Sequence, residues 1–347
     1  MRVRHDPALA LSDIDVDDVA DDLHSLMRHA IAVATLAPSG HNTQPWRFII
    51  RGNVIELWAD RSKALPVVDP DDRELVISCG VALDHLVLTL AYLGTEPQVT
   101  LIPDTDQPDL LGTVLVPDPT HPKGAHGDLV RAIPQRRTYR RPFEPGEIDE
   151  SLVERLAQAA SVCGGWVYPV GSEGRSALAN LIADGDRIQM ADSAFRAELA
   201  RWIRGNRSGV RDGMRTHAFG VPDLLSPLGP FVVRSFDRGG KQASLDHQLA
   251  LTAPLLLIVG TAADTPVEWV EAGRALSRVL LTATAAGASA SFLNQPIEVT
   301  TLRTRLREAF DLDGVPQLIL RLGFGQPLPP QPRLDPDTVL TTALPPR

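Results

Sequence analysis

The chain has few cysteines and no surplus of positive charge, and each shortage excludes a class of protein. Its 347 residues include only Cys79 and Cys163, which lie far apart and form no CxxC motif. Neither a disulfide framework nor a structural zinc site is therefore indicated. The formal net charge is −9. This charge argues against nucleic acid or an anionic membrane as a partner, because both attract a basic surface.

Targeting and membrane-spanning segments are also lacking. Residues 1–20 form an aspartate-rich arm without the basic-then-apolar order of a signal peptide. The longest strongly apolar runs, such as APLLLIVG at 253–260, are too short to cross a bilayer. We therefore expect a soluble, cytoplasmic protein.

The common catalytic motifs are absent as well. The sequence contains no GxSxG, HExxH or GxxxxGK[ST] motif, and no GxGxxG that follows a first strand. We find no constellation for acid–base or nucleophilic catalysis and no metal site. A reaction catalysed by this chain would be carried by a cofactor, and its acceptor would be a small molecule.

Hydrophobic periodicity predicts two halves with the same order of elements. Each half has a helix, a strand, a long Ala/Leu-rich helix that ends at a glycine, and a further strand. The two long helices, at about 72–93 and 266–287, end alike in CGVALDHLVLTLAYLG and AGRALSRVLLTATAAG. We interpret this as an internal duplication, although two unrelated amphipathic helices can share such a pattern.

The predicted domain boundaries follow from these halves. A Pro/Gly/His linker at 117–127 is the best boundary between them. The predicted units are an acidic arm (1–20), a first half (21–120), a second half (121–335) and a tail (336–347). An irregular insert at about 190–240 has no steady period, repeated Gly and Pro, and six arginines from Arg196 to Arg215. Such inserts are lids, binding loops or disordered segments, and the arginines fit either a nicotinamide phosphate or a solvated helix face.

Two short segments look like halves of a ligand site. In PQRRTYRRPF (134–143) four arginines surround Thr138, and a planar guanidinium suits bidentate phosphate binding. In APSGHNTQPW (37–46) the Asn42 and Gln44 amides both donate and accept, as the edge of a flat heterocycle requires. The alternatives are a solvated basic turn in the first case and a backbone-capping loop in the second.

These segments, together with RELVISCGVAL, LLSPLG and LNQPIE, resemble the FMN-binding nitroreductase superfamily, and its Acg-like branch of NAD(P)H nitroreductases in particular. The resemblance covers about 22–335, and HNTQPW is its most specific motif. It implies an α+β nitroreductase-like fold in which central sheets are flanked by helices. It also implies bound FMN, with NAD(P)H as the electron donor.

The resemblance also implies which residues bind FMN. On the phosphate and ribityl side it implies Arg136, Arg137, Thr138 and Arg140, with Arg333 bringing a further cation and Gly323 a weaker candidate. Against the ring and ribityl chain it implies Pro38, Ser39, Asn42 and Gln44. Near the flavin N5 it implies Leu293, Asn294 and Gln295.

In the family the site forms across a homodimer, and here its two elements occur once each, in opposite halves. At the position where the first half should carry the arginine cluster, its sequence is DVADDLHSLM. At the position where the second half should carry PSxxN, its sequence is ASVCGGWVY. We therefore predict that the fused halves form an intrachain pseudo-dimer with one flavin site. The chain would act as a monomer, and further dimerisation is left open.

Three functions remain open at this stage. The first is an FMN-dependent NAD(P)H oxidoreductase that passes hydride through flavin N5 to a nitroaromatic or quinone-type acceptor. The second is a protein that stores or sequesters FMN beneath a blocking lid, with little turnover. The third is a scaffold that has lost the flavin, which the complementary half-sites disfavour.

Overall fold

The computed structural model describes residues 22–341, except for residues 105, 121, 217–230, 232 and 234–238. The predicted arm (1–20), the LLSPLG segment, most of the second part of the insert and the end of the tail lie outside the described residues. The helices are α1 Leu23–Ala34, α2 Arg73–Tyr92, α3 Gly127–Ala132, α4 Glu150–Ser161, α5 Ser172–Ala191, α6 Ser193–Trp202, α7 Gly239–Leu251, α8 Pro266–Ala285, α9 Gln295–Glu298, α10 Thr300–Ala309 and α11 Pro336–Val339.

Within the described part of the chain, ten strands accompany these helices. They are β1 Trp46–Arg51, β2 Val54–Ala59, β3 Gln98–Leu101, β4 Leu110–Leu115, β5 Trp166–Pro169, β6 Ile203–Arg204, β7 Met214–Arg215, β8 Leu255–Thr261, β9 Ser289–Phe292 and β10 Val315–Gly323. The fold is thus the predicted mixture of sheets flanked by helices. Short 3₁₀ turns at Gly40–Asn42 and Ile133–Gln135 interrupt the two segments singled out as half-sites.

The two main sheets have the same strand order. The first runs β1-β2-β4-β3 and the second β5-β8-β10-β9, so each places its strands in the order first, second, fourth, third. Every pairing in both sheets is antiparallel. In each half a 20-residue helix, α2 or α8, connects the second strand to the third. Duplication of one half would produce this shared strand order and helix position. The duplication itself stays a prediction.

The long helices α2 and α8 cross at a pair of glycines. A Cβ on Gly80 would lie 2.3 Å from the carbonyl oxygen of Val270, and one on Gly273 would lie 2.1 Å from that of Ile77. Only glycine allows the two backbones to approach so closely. One turn further on, the Arg278 Nε donates to both oxygens of Asp84, at 2.9 and 3.0 Å, inside the interface.

The hydrophobic core is continuous across both halves. One cluster of buried apolar side chains extends from Leu26 on α1 through α2 and α8 to Leu322 on β10. A second cluster lies on the other face of the second sheet, where α5, α9 and α10 cover β8 and β10. The tail joins the halves too, because the Thr341 amide donates to the Phe48 carbonyl of β1 at 2.9 Å.

The sequence-based prediction missed several elements of the second half. Helices α5, α7 and α10 and the short strand β9 were not predicted, since their apolar residues are sparser than those of α2 and α8. Within the insert, α6 ends at Trp202, ahead of Gly205, Gly209 and Gly213. Helix α2 is long and apolar enough to cross a membrane, but 89% of its most apolar window is buried in the fold.

The glycine crossing makes a prediction about stability. Gly273→Ala should lower the free energy of unfolding by about 3 kcal/mol, because the added Cβ overlaps the Ile77 carbonyl and forces the helices apart. The measurement is chemical denaturation, fitted with the same m value (the dependence of the free energy of unfolding on denaturant concentration) for parent and variants. Gly240→Ala, in α7 with no described atom within 4 Å of its Cβ position, is the matched control and should stay within about 1 kcal/mol of the parent. Equal losses in the free energy of unfolding for the two variants would contradict a close backbone contact between α2 and α8 at Gly273.

Candidate functional site

A pocket forms where four distant segments of the chain meet. Its lining residues come from the loop between α1 and β1, the turn between α3 and α4, strand β7 of the insert, and the segment after β10. They are Leu36, Pro38, Ser39, Asn42, Ile133, Pro134, Arg136, Arg137, Thr138, Arg140, Met214, Pro330, Gln331 and Arg333. The two segments singled out from the sequence, about a hundred residues apart, therefore face each other across one cavity.

The loop from Pro38 to Gln44 has an unusual backbone. His41, Asn42 and Gln44 all have positive φ angles, of 50°, 58° and 56°, a conformation that costs free energy for residues other than glycine. The Ser39 Oγ accepts the Gln44 amide at 2.9 Å and closes the loop on itself. Burial, together with the charge of Arg140, lowers the pKa of His41 to about 4, so its ring is neutral.

The side-chain amides of this loop bind other parts of the protein. Asn42 Nδ2 donates to the Gly213 carbonyl at 3.0 Å, and its Oδ1 accepts from Arg333 at 2.9 Å. Gln44 is 1% exposed and does not line the cavity; its Nε2 donates to the Arg211 carbonyl at 3.0 Å and its Oε1 accepts the Leu334 amide at 2.7 Å. Both amides thus tie the loop to the insert and to the C-terminal segment.

We call residues 136–141, between α3 and α4, the arginine turn. It is held in place by Arg321 of β10, a residue that the sequence analysis did not identify as a candidate. Its buried guanidinium donates to the carbonyls of Tyr139 at 2.8 Å and Arg141 at 3.0 Å. The Tyr139 amide donates to the Ala290 carbonyl of β9 at 2.8 Å, next to the bridge between Thr138 and Ala290. The turn is therefore fixed to the edge of the second sheet.

Two arginines at the pocket, Arg136 and Arg333, carry positive charge that no described carboxylate pairs with. Arg136 and Arg333 are each 6% exposed, and neither forms an ion pair with a described carboxylate. Burial and the charges of Arg333, Arg137 and Arg140 lower the pKa of Arg136 to about 9; burial and Arg137 lower that of Arg333 to about 10. Both Nε atoms are buried without a described hydrogen-bond partner. Such a cluster of donors fits a bound anion with at least two charges.

The first part of the insert contributes to the wall of the pocket. We call residues 203–216 the insert loop; it contains β6 and β7, and its Met214 lines the cavity. Asp212 pairs with Lys63 at 3.0 Å and with Arg204 at 2.8 Å, and the Gly213 amide donates to the Asn42 carbonyl at 3.2 Å. The remaining cavity measures about 70 Å³, enough for about five water molecules or one phosphate group.

Four of the residues that the resemblance implied do not line this pocket: Leu293, Asn294, Gln295 and Gly323. Leu293 is buried in the second core cluster, and Asn294 donates to Glu74 at 3.1 Å. Gln295 Nε2 donates to Asp186 at 3.1 Å and to Asp246 at 3.0 Å. A Cβ on Gly323 would lie 2.6 Å from the Phe143 ring, so this glycine makes room for an aromatic side chain. Gln44 joins these four in not lining the cavity, and a flavin role for all five stays a prediction.

The Gln295 contact reveals a pair of buried carboxyls that sequence reasoning missed. Asp186 on α5 and Asp246 on α7 share Gln295 as a donor, and Asp246 also accepts from Gln242 at 2.9 Å. Burial and the neighbouring Asp246 raise the pKa of Asp186 to about 8, and burial raises that of Asp246. The pair therefore retains a proton near neutral pH. No sequence motif signals it, since 60 residues separate its members.

The raised pKa of Asp186 makes stability depend on pH. Between about pH 4 and 8 the folded state retains a proton that the unfolded state releases, so the free energy of unfolding falls as pH rises, by up to about 1.4 kcal/mol per unit. Asp186→Asn should remove the contribution of this proton to the slope and keep the packing, while Glu298, whose pKa burial raises to about 8, keeps its own contribution. Thermal unfolding at pH 5 to 8.5 measures the slope. Asp184→Asn, a partly exposed change on the same helix, should retain the parental slope; a parental slope in Asp186→Asn would contradict the shared proton.

Comparison with known proteins identifies relatives along nearly the whole chain. A "Nitroreductase family" model matches residues 133–325. The Mycobacterium tuberculosis protein named "Putative NAD(P)H nitroreductase Rv3131" is 34% identical over 312 residues, which cover 88% of each chain. The acg protein of the same organism, also named as an NAD(P)H nitroreductase, is 28% identical over 90% of this chain and 95% of its own.

Among solved structures, a nitroreductase NfnB from Sphigopyxis sp. strain HMH, described as FMN- and NADPH-dependent, matches 61% of this chain and 97% of its own. The sequence identity is 19% and the TM-score 0.41. The family model spans more than half of the sequence, and the relative at 34% identity spans most of it. On these two matches, the chain belongs to the nitroreductase family of oxidoreductases.

Proposed function

We propose that the chain is an FMN-dependent oxidoreductase that takes electrons from NAD(P)H and reduces a nitroaromatic or quinone-type small molecule. The observation that carries the proposal is the arginine pocket. Its lining combines residues of both predicted half-sites, and the buried guanidiniums of Arg136 and Arg333 form no ion pair with a described carboxylate. A flavin phosphate would supply the missing negative charge.

The pocket residues fit the phosphate end of FMN. Arg136, Arg137 and Arg333 offer guanidinium donors, Thr138 offers a hydroxyl, and the described lining contains no carboxylate that would repel a phosphate. Arg137 is oriented by its own contacts, since its Nε donates to the Leu328 carbonyl at 3.2 Å and its Nη1 to that of Pro134 at 2.7 Å. These residues would hold the phosphate without a large rearrangement.

The flavin ring requires more space than the cavity offers. Pro38, Ser39 and Asn42 form the wall toward which the ring would extend, and Met214 of the insert loop stands beside them. We therefore infer that the insert loop moves when FMN binds and that Asn42 and Gln44 then exchange partners. FMN, once bound, supplies hydride transfer through its N5 atom. The chain binds and orients it, since the described lining contains neither histidine nor carboxylate.

We also propose that the two halves act as an intrachain pseudo-dimer. Supporting this, the loop from Pro38 to Gln44 belongs to the first half and the arginine turn to the second, and they meet in one pocket. The shared strand order and the glycine crossing between α2 and α8 support it further.

A second candidate, storage of FMN with little turnover, rests on the insert loop. Its Asp212 ion pairs and its backbone bonds to Asn42 close the pocket from one side. If the loop stays closed over bound flavin, NAD(P)H has no access to the ring. The two candidates differ in whether bound flavin can be reduced.

Replacing one buried arginine tests the phosphate assignment. Arg136→Met should stabilise the flavin-free protein by about 1–3 kcal/mol, because it removes a buried, uncompensated charge. The same change should weaken FMN binding at least about 30-fold, because the phosphate then lacks a buried partner. Thermal unfolding with and without FMN and fluorescence titration measure both effects. Arg141→Met, at an exposed neighbouring position, should change neither; unchanged FMN affinity in Arg136→Met would place the phosphate elsewhere.

Anaerobic reduction distinguishes the enzyme from the storage protein. NADPH or NADH should bleach the absorbance of bound FMN, and a nitroaromatic or quinone should restore it. Asp212→Asn should raise the rate of bleaching several-fold, because it loosens the contacts of the insert loop with Lys63 and Arg204. Asp184→Asn, which removes a surface ion pair with Arg187, is the control. Flavin that neither nicotinamide bleaches, in parent and variant alike, would favour storage.

A further inference from the structure

The insert loop is strongly basic, although the chain as a whole is acidic. It carries the arginines Arg204, Arg207, Arg211 and Arg215, and Asp212 is its one carboxylate. The formal net charge of the whole chain is −9. Such a local excess of positive charge beside a pocket raises the local concentration of anionic ligands.

The backbone of the insert loop is fixed from within. Arg215 is 4% exposed, and its guanidinium donates to the Gly205 carbonyl at 3.0 Å and to the Val210 carbonyl. The Thr216 hydroxyl donates to Asn206 Oδ1 at 2.8 Å, and the pairing of β6 with β7 closes the base of the loop. The loop therefore holds its outer side chains on a defined backbone.

One side of the insert loop contacts the pocket and the loop from Pro38 to Gln44. Met214 lines the cavity, and the Gly213 amide donates to the Asn42 carbonyl at 3.2 Å. The Arg211 carbonyl accepts from Gln44 Nε2 at 3.0 Å. These contacts place the backbone of the insert loop at the rim of the pocket.

Two guanidiniums of this loop reach solvent at that rim. Arg207 is exposed. Arg211 Nη1 lies 3.7 Å from Asp335 Oδ2, and the two side chains are 31% and 54% exposed. An exposed pair at this distance contributes little, so Arg211 can exchange Asp335 for another anion. A merely solvated basic surface would not require the buried charge of Arg215, which costs free energy.

We propose that Arg207 and Arg211 bind the 2′-phosphate of NADPH, so that the chain prefers NADPH to NADH as its electron donor. This rests on the proposed function, because it takes a nicotinamide dinucleotide as the donor and assigns the arginine pocket to the FMN phosphate. The 2′-phosphate is the group by which the two donors differ, and a phosphate monoester suits the forked donors of arginine. The nicotinamide ring has to reach the flavin, so the adenosine end extends outward, past the rim of the pocket.

The test uses two ligands that differ only in the 2′-phosphate. Calorimetric titration of the FMN-loaded protein should show 2′,5′-ADP binding at least about tenfold more tightly than 5′-AMP, because charge-assisted hydrogen bonds form with the first ligand alone. The double variant Arg207→Gln, Arg211→Gln should lower this ratio to about twofold or less, because the remaining exposed charges contribute little. Arg187→Gln removes an exposed arginine of α5 that pairs with Asp184 at 2.8 Å; it is the matched control and should retain the parental ratio.

Anaerobic bleaching of bound FMN gives a second measurement. In the parent, NADPH should reach half-maximal bleaching at a concentration at least about tenfold lower than NADH, and the double variant should lose most of this preference. Equal losses of 2′,5′-ADP and 5′-AMP affinity in the double variant, or a parent without preference in either assay, would overturn the 2′-phosphate assignment and leave the proposed function intact. Flavin that neither nicotinamide bleaches would overturn the proposed function, and the inference with it.

Discussion

The close crossing of α2 and α8 is the constraint on which the rest of the structure depends. Gly80 and Gly273 let the two backbones meet, and the core then runs without interruption through both halves. Because the helices sit at this fixed distance, the loop ahead of β1 and the turn after α3 reach the same cavity. A larger residue at either glycine would therefore act on the pocket as well as on stability, through the distance between the halves.

The charges around the pocket determine which kind of ligand this arrangement favours. Folding gathers Arg136, Arg137, Arg140 and Arg333 around one small cavity, and burial works against the charge of each. Within the described residues, Arg321 donates to backbone carbonyls of the turn. These hydrogen bonds fix the position of the turn and do not neutralise its positive charge. The free energy spent on this repulsion is recovered when an anion binds, so the flavin-free protein is expected to be the less stable form.

The sequence predicted the regular elements around the pocket well because their signals are local. The 20-residue apolar helices and the strands near 46–51 and 315–323 carry their own periodicity, and the arginine turn and the PSGHN loop are dense in recognisable side chains. Contacts between distant residues have no such signal. Gln44 binding Arg211 and Leu334, Gly323 accommodating Phe143, and Asp186 meeting Asp246 all depend on how segments pack. For that reason the sequence indicated candidate residues more readily than it indicated the residues that they contact.

The buried polar groups at the helix crossing are satisfied on one side and have no described partner on the other. On one side Arg278 and Asp84 satisfy each other and need no ligand. On the other, the His85 ring and the Ser277 hydroxyl are 0% exposed and have no hydrogen-bond partner among the described residues. A buried ion pair and an anion site are alternative ways to balance the same kind of buried charge. At the crossing the Asp84 carboxylate balances Arg278, whereas Arg136 and Arg333 in the pocket form no ion pair with a described carboxylate, so there an anion would supply the balance.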